Sequence, residues 1–387
     1  MIIKIKDICS AVYSGGTPNK KHPEYYDGGE IPWLNTGEIA FNRICKTEKY
    51  ISDIGFRSSS AKWVPANAVI VAMYGATAAR TAITKIPLTT NQACCNLVVD
   101  EDKADYRYVY YYLCSQYTQL ASLANGGAQQ NLNAGQIKDY DIDLPDMATQ
   151  RKVADLLTML DDKIEVNNEI NKNLLEQAQS IFTQEFLMLD RIPDGWQESS
   201  LLGIADYLNG LAMQKYRPKD DEQGLPVLKI KELRQGSCDF NSELCSPSIK
   251  PEYIVHDGDV IFSWSGSLLV DLWCGGTCGL NQHLFKVTSS AYDKWFYYAW
   301  TNHHLQKFAA IAADMATTMG HIKREELSKA EVLIPSQSDY DRIGGLLAPL
   351  YDLVIANRIE SRKLASLRDE LLPQLMSGQF DVSEVSL

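Results

Sequence analysis

One relationship restricts this chain more than any other: most of it occurs twice. "TTNQACCNLVV" (Thr89–Val99) matches "CGLNQHLFKV" (Cys278–Val287) on Asn91-Gln92 and Asn281-Gln282, pairs that stand 190 positions apart. The same separation aligns "NLNAGQIKDYDIDLP" with "HIKREELSKAEVLIP", ending on Pro145 and Pro335. It also relates Val153, Leu156, Leu157, Leu160 and Asn167 to Ile343, Leu346, Leu347, Leu350 and Asn357. With one gap, "NAVIVAMYGAT" falls on "GDVIFSWSGSL" and pairs Gly75 with Gly266. Further upstream "IPWLNTGEI" faces "LPVLKIKEL", and "IKDICSAVYSG" faces "LLGIADYLNGL". A period this long is the duplication of a whole domain, not a solenoid.

Each copy closes on a long apolar stripe. Steps of three and four give Val153, Leu157, Leu160, Ile164, Asn167, Asn171, Leu174, Ala178 and Ile181 in the first. The second gives Ile343, Leu347, Leu350, Val354, Asn357, Ser361 and Leu364, then loses regularity. This is the narrow seam of a coiled coil, not the wide face of a helix lying on a globular core. About 29 residues make a rod of about 43 Å. Two such rods bury their seams against each other or against another protein, and short connections into the neighbouring domains favour antiparallel pairing. Asn167 and Asn357 hold equivalent seam positions, where a buried amide sacrifices stability to fix register and partner number. The alternative is that they face water where the coil loosens.

The rest of each copy mixes strands and helices. "NAVIVAM", "NLVVD", "DVIFSW" and "HLFKV" are rich in β-branched and aromatic residues and bounded by Gly, Asn or Asp, and read as strands. "DYRYVYYYLCSQYTQLASLA" and "AYDKWFYYAWTNHHLQKFAAIA" have helical spacing with aromatic inner faces. The predicted fold is α+β. Mixed domains at 1–145 and 187–335 are each followed by a long helix, at 146–186 and, with a C-terminal tail, at 336–387, the helices forming an antiparallel coiled coil with a pseudo-two-fold internal repeat.

Several chemistries are excluded. No stretch of eighteen apolar residues exists, "MIIKIKDICS" lacks the features of a signal peptide, and nine irregularly spaced cysteines suit reduced thiols, so a cytoplasmic protein is expected. "SGGTPNKK" lacks the spacing of a phosphate-binding loop, and no Gly-x-Gly-x-x-Gly follows a strand. No Asp-Pro-Pro-Tyr or Asn-Pro-Pro-Tyr stretch marks an amino-methyltransferase. Cys274, Cys278 and His283 are an incomplete zinc set without counterpart in the first copy. Cys94 and Cys95 read as packing residues. Six histidines form no triad, and no active site is expected.

Net charge is −12, which excludes a chain that coats nucleic acid by bulk charge but not one that binds it locally. Basic residues interleave with aromatics and amides in both domains. The first offers Lys20, Lys21, Tyr25, Asn35, Tyr74, Arg80, Gln129, Gln130 and Asn131. The second offers Lys215, Tyr216, Arg217, Lys229, Lys231, Arg234, Trp264, His321, Lys323 and Arg324. Lys and Arg fix phosphates, and Asn, Gln, Arg and Lys read base edges in the major groove. Each alone also suits a solvated surface; recurrence in both copies is what favours the set. Asn91 and Asn281 read instead as structural turns that bond their own backbone. Two unequal heads on a rigid rod suit an asymmetric split site with half-sites about one helical turn, roughly 34 Å, apart.

The chain resembles, over its whole length, the specificity (S) subunit of Type I restriction-modification systems. The resemblance rests on "SGGTPNKK…YYDGGEIPWLNTGEI", "GGAQQNLNAGQIKDYDIDLP…QRKVADLLTMLDDKIEVNNEINKNL", "IPDGWQESSLLGIADYL" and "LLPQLMSGQFDV", in that order around two helices. It implies two target-recognition domains, each reading half of a bipartite DNA sequence, and conserved helices that dock two methyltransferase (M) subunits, which recruit ATP-driven restriction (R) subunits. It implies a non-catalytic chain, with S-adenosylmethionine, ATP and Mg²⁺ on the partners. A recognition subunit of a methylation-only or other phage-defence complex is the alternative.

Overall fold

The computed structural model describes residues 1–124, 131–314 and 322–382. They form two compact units, made by the described residues of Met1–Asp162 with Ala365–Leu387 and by those of Lys163–Leu364.

In the first unit, β1 (Cys9–Ser14), β2 (Asn42–Ile44), β3 (Val69–Ala72), β4 (Thr81–Thr84) and β5 (Cys94–Val99) make a sheet in the order β1-β5-β3-β4-β2. Neighbours are antiparallel except β2 with β4. Val69, Val71 and Met73 enter one core with Tyr108 and Val109 of α1 (Tyr106–Ser115), while Ala68, Ile70 and Ala72 enter another with Leu34, Ile39 and Leu88. Alternate side chains of a strand leave opposite faces, so a sheet covered on both sides demands an unbroken apolar run. That is what "NAVIVAM" supplies. A smaller sheet sets Ile31–Leu34 parallel to Leu88–Thr90, and Ile2–Lys4 pairs antiparallel with Asp141–Asp143. The long α2 (Met147–Phe182) follows.

The second unit repeats the plan. Strands β6 (Asp206–Asn209), β7 (Val260–Ser263), β8 (Leu269–Leu272) and β9 (Leu284–Thr288) run β6-β9-β7-β8, without a counterpart of β2 in that sheet among the described residues. Val260 and Phe262 face the aromatic core beneath α3 (Lys294–His303), and Ile261 faces Leu228, Trp273 and Leu280. Leu225–Leu228 lies parallel to Cys278–Leu280, and Gln197–Ser200 antiparallel to Glu331–Ile334.

The repeat extends to single backbone positions. Asn67 and Gly258, which precede β3 and β7, both take a left-handed conformation (φ +66° and +86°), as do Gly75 and Gly266 after them (+73° and +64°). Gly and Asn are the residues that tolerate this region. Gly15 and Gly210, just past β1 and β6, have no room for a side chain. An added Cβ would lie 2.0 Å from Thr90 O and 2.3 Å from Asn281 O. The first glycine of "SGG" therefore serves chain packing.

The helical segments expected in each domain are each two helices. Tyr106–Ser115 and Tyr117–Ser122 break at Gln116, and Lys294–His303 and Leu305–Asp314 break at His304. His304 is tied there by a 2.8 Å bond to Glu331 O.

The long helices run beyond the regular seam and lie within 146–186 and 336–387: α2 has 36 residues and α4 (Gln337–Met376) has 40. Contacts run in opposite senses along them. In the second unit Arg342 pairs with Glu185 at 2.8 Å, Asn357 with Asn171 at 2.9 Å and Lys163 with Glu360 at 3.3 Å. In the first, Arg368 meets Asp161 at 2.7 Å, and Val153 and Leu157 share a core with Leu375. The helices are antiparallel. Val153, Leu157, Leu160, Ile343, Leu347 and Val354 are buried, and Ile164, Leu174, Leu350 and Leu364 half-buried. Asn167 and Asn171 are buried and Asn357 half-buried, so these amides do not simply face water. The seam does not lapse after Leu364: Leu371, Leu372, Leu375 and Met376 join the first unit's core. Pro349, inside α4, removes a donor from the exposed Gly345 carbonyl, where solvent can replace it.

Among the described residues, no helix is long and apolar enough to cross a membrane, and no group of His, Cys, Asp and Glu is arranged to hold a metal ion. Cys274 Sγ points at the carbonyls of Leu272 and Ile355, whereas His283 contacts Ser265, so the incomplete zinc set does not converge.

Candidate nucleic-acid interface

In the first unit the candidate residues fall on two loop systems. Lys20 and Lys21 are exposed on the segment leading to Pro23–Tyr25, where Tyr25 stacks on His22 with centroids 4.8 Å apart. Asn35 begins a short turn: its N–H donates to Glu38 Oε1 at 3.0 Å, and its Oδ1 accepts from Asn91 Nδ2 at 3.4 Å. Part of its amide is thus committed to the fold. Tyr74 and Arg80 sit in the loop joining β3 to β4, with Tyr74 43% exposed. Tyr74 forms an isolated bridge with Asn131. Gln129 and Gln130, beside Asn131, lie outside the described residues, as does His321.

Asn91 and Asn281 prove to be the same turn. Asn91 Oδ1 accepts from Ala93 N at 3.0 Å and Asn281 Oδ1 from His283 N at 3.2 Å. Their own N–H groups donate to Leu34 O and Leu228 O at 3.0 and 3.2 Å. These amides fix the end of the parallel pair in each small sheet. Their neighbours are freer. Gln92 is exposed and accepts from Thr17 Oγ1.

In the second unit three of the candidate cations are held by acids. Arg217 and Lys229 share Glu243 at 3.2 and 2.6 Å, and Lys231 lies 3.2 Å from Asp239. The Lys229 ammonium holds the Glu243 carboxyl below its usual range, and Lys231 does the same for Asp239. Lys215 and Tyr216 are exposed beside this flank, and Arg234 lies in the last turn of Ile230–Gln235. Lys323 precedes the helix Arg324–Ser328, and Arg324 Nη1 donates to Tyr207 O at 3.4 Å.

A second cluster in this unit was only half legible from residue type, through Trp264. Trp264 Nε1 donates to Asn209 Oδ1 at 3.0 Å, its ring lies 6.1 Å from the His283 ring, and His283 Nδ1 stands 3.1 Å from Ser265 Oγ. Gln282 Nε2 is 3.4 Å from His283 Nε2. The chain after residue 321 is anchored here, Ile322 N donating to Trp264 O at 2.9 Å. Its counterpart in the first unit is Leu132 N to Met73 O at 2.8 Å. The signal in the sequence was the residue following each "NQ" step, adjacent to a turn already assigned to structure.

Charge is unequal between the units. Residues 15–99 hold nine Lys and Arg against six Asp and Glu, whereas 210–287 hold eight against ten. A surface of the second kind binds phosphate through individual cations, not through a basic field.

The family described as the type I restriction modification DNA specificity domain matches the chain at residues 1–176 and again at 193–366. The chain is 27% identical over 412 residues to the type I restriction enzyme MjaIX specificity subunit of Methanocaldococcus jannaschii, covering 99% of this chain and 94% of that one. It is 25% identical over 154 residues to the EcoR124I/EcoR124II specificity subunit of Escherichia coli, 38% of each chain. A solved S subunit of a type I restriction-modification system from M. genitalium shares the fold, with a TM-score of 0.59 at 14% identity over 97% of this chain and 95% of that one. Matched twice by one domain family and along nearly its whole length by a curated specificity subunit, the chain belongs to the type I restriction-modification specificity subunits.

Proposed function

We propose that this chain is the non-catalytic DNA-recognition and scaffold subunit of a type I restriction-modification complex in the cytoplasm. Each mixed domain reads one half of a bipartite, asymmetric double-stranded DNA site. The helices dock two methyltransferase (M) subunits, through which restriction (R) subunits join. S-adenosylmethionine, ATP and Mg²⁺ belong to those partners.

The observation that carries the reading is what the two copies share and where they differ. Turns, left-handed positions and strand ends coincide, while the surrounding chemistry differs: Thr17 and Tyr74 in one, Trp264 and His283 in the other. A constant frame with unlike surfaces suits two different half-sites. Docking is supported by the helices' second apolar stripe. In the second unit Val166, Ile170, Leu346 and Leu353 remain 48%, 39%, 45% and 46% exposed although the seam is filled. Exposed apolar surface of this kind marks protein contact.

Co-expression with the methyltransferase subunit, followed by single-molecule sequencing of methylated DNA, tests this. Two specified blocks separated by an unspecified spacer are expected. A single contiguous motif, or methylation unchanged when this chain is omitted, would overturn the reading.

A further inference from the structure

The long helices meet their domains through the same capping contact. Asp105 N donates to Gln150 Oε1 at 3.0 Å, and Asp293 N donates to Tyr340 Oη at 2.8 Å. Gln150 and Tyr340 are 190 positions apart, so this contact fixes one point of the repeat and lets the surroundings be matched residue by residue.

In the second unit the place beside this contact is a cavity of about 520 Å³. Asp293, Asp341 and Asp352 supply carboxylates, and Trp295, Tyr340 and Tyr351 supply aromatic walls. Tyr340 Oη also donates to Asp293 Oδ2 at 3.2 Å, and Gln337 to Asp341 Oδ1 at 2.8 Å. Lys294 is the lining's cation, so the carboxylates outnumber it.

In the first unit the corresponding place is filled by guanidinium groups. Arg43, reaching from β2 with its side chain only 6% exposed, bonds Asp162 and donates from Nη2 to Thr158 O at 3.2 Å. Thr158 and Asp162 are the counterparts of Ala348 and Asp352. Arg107 bridges Asp105 at 2.7 Å and Asp155 at 2.5 Å. The second unit has Trp295 where Arg107 stands, and among the described residues its main sheet has no strand matching β2 to carry an Arg43. It keeps the acidic seat and lacks the occupant.

The geometry points to this cavity as a docking site for an arginine side chain of a partner protein subunit, its guanidinium seated between the carboxylates and the aromatic wall. A planar cation with forked donors pairs with carboxylates two bonds at a time and is attracted to ring faces, which an ammonium or an apolar side chain does less well. Arg43 shows, within the same chain, that an equivalent carboxylate takes this group. The inference rests on the reading that this chain assembles with other subunits.

Two arms test it. With the full chain alone, argininamide is titrated while the Trp295 indole N–H resonance, identified by its loss in Trp295→Phe, is followed. A saturable shift is expected with argininamide and not with glycinamide, and Asp341→Asn with Asp352→Asn should weaken it about tenfold. A Trp295 signal indifferent to argininamide overturns the site. In the second arm the same double variant, with unaltered circular dichroism, should bind the methyltransferase subunit about tenfold more weakly. Unchanged assembly overturns the partner's arginine. Failure of the unaltered chain to assemble at all would strike the proposed function instead, and the argininamide arm would still decide the cavity.

Discussion

Asn357 Nδ2 donates to Asn171 Oδ1 at 2.9 Å, an amide contact between two long helices whose seam is otherwise mostly apolar. Nearby, Asn167 Nδ2 donates to Glu360 Oε2 at 2.7 Å and to Ser361 Oγ at 3.2 Å, while Asn167 Oδ1 and Asn171 Nδ2 are buried without a protein partner. Such a layer is poor for stability and good for register.

Asn357→Ala should therefore cost about 1–3 kcal/mol, because Asn171 Oδ1 loses its donor in a buried place. The double change Asn171→Leu, Asn357→Leu should be neutral or stabilising by comparison, at the expense of a unique helix register. Chemical denaturation reads the first effect, and cysteine cross-linking across the seam reads the second.

Acid sensitivity should follow the ion pairs between long helix and domain. Arg362 lies 2.7 Å from Asp257 and holds its carboxyl below the usual range. A depressed carboxyl contributes its full stability above the ordinary Asp value of about 3.9 and loses it as the pH falls through the lowered value. Arg362→Gln should flatten the stability profile below about pH 4 and lower its plateau. A variant profile parallel to the wild type down to the acid limit would contradict this.

Thiol reactivity should report burial. Cys45 is exposed, whereas Cys94 and Cys95 are buried in the main sheet, and burial pushes the Cys95 thiol up to about 12. Iodoacetamide at neutral pH should label Cys45 in the native protein and reach Cys94 and Cys95 only on unfolding, because the thiolate is the reactive form. Peptide mapping of the labelled chain settles the order.

Lys20→Ala with Lys21→Ala should weaken DNA binding by the assembled complex to a similar degree on all sequences. Each lost phosphate contact should reduce the log–log salt slope by about 0.9. A change in the recognised sequence instead would move these lysines from backbone contact to base reading.

The frame was legible because it depends on local rules used twice. Asn67 and Gly258 announce a left-handed turn before a strand, and the "NQ" step announces a side-chain-closed turn, whichever domain carries them. The spans of the long helices were legible, but not what holds their ends: Phe182 and Phe186 pack on Trp300, and Leu375 on the first unit's core. The Trp264–His283 cluster was half seen, since Trp264 stood out and its partner did not. Arg43 was passed over altogether. Nothing in "FNRICK" shows that its guanidinium will sit on Asp162, more than a hundred residues on. Periodicity reports which face is buried; it does not report which charge a fold brings beneath it.

Exchange of residues 1–140 for the matching domain of another specificity subunit, in a complex competent for methylation, tests the account most directly. Methylation mapping should show one half of the recognised sequence replaced and the other half retained. An unchanged site, or one altered in both halves, would contradict the assignment of one half-site to each domain.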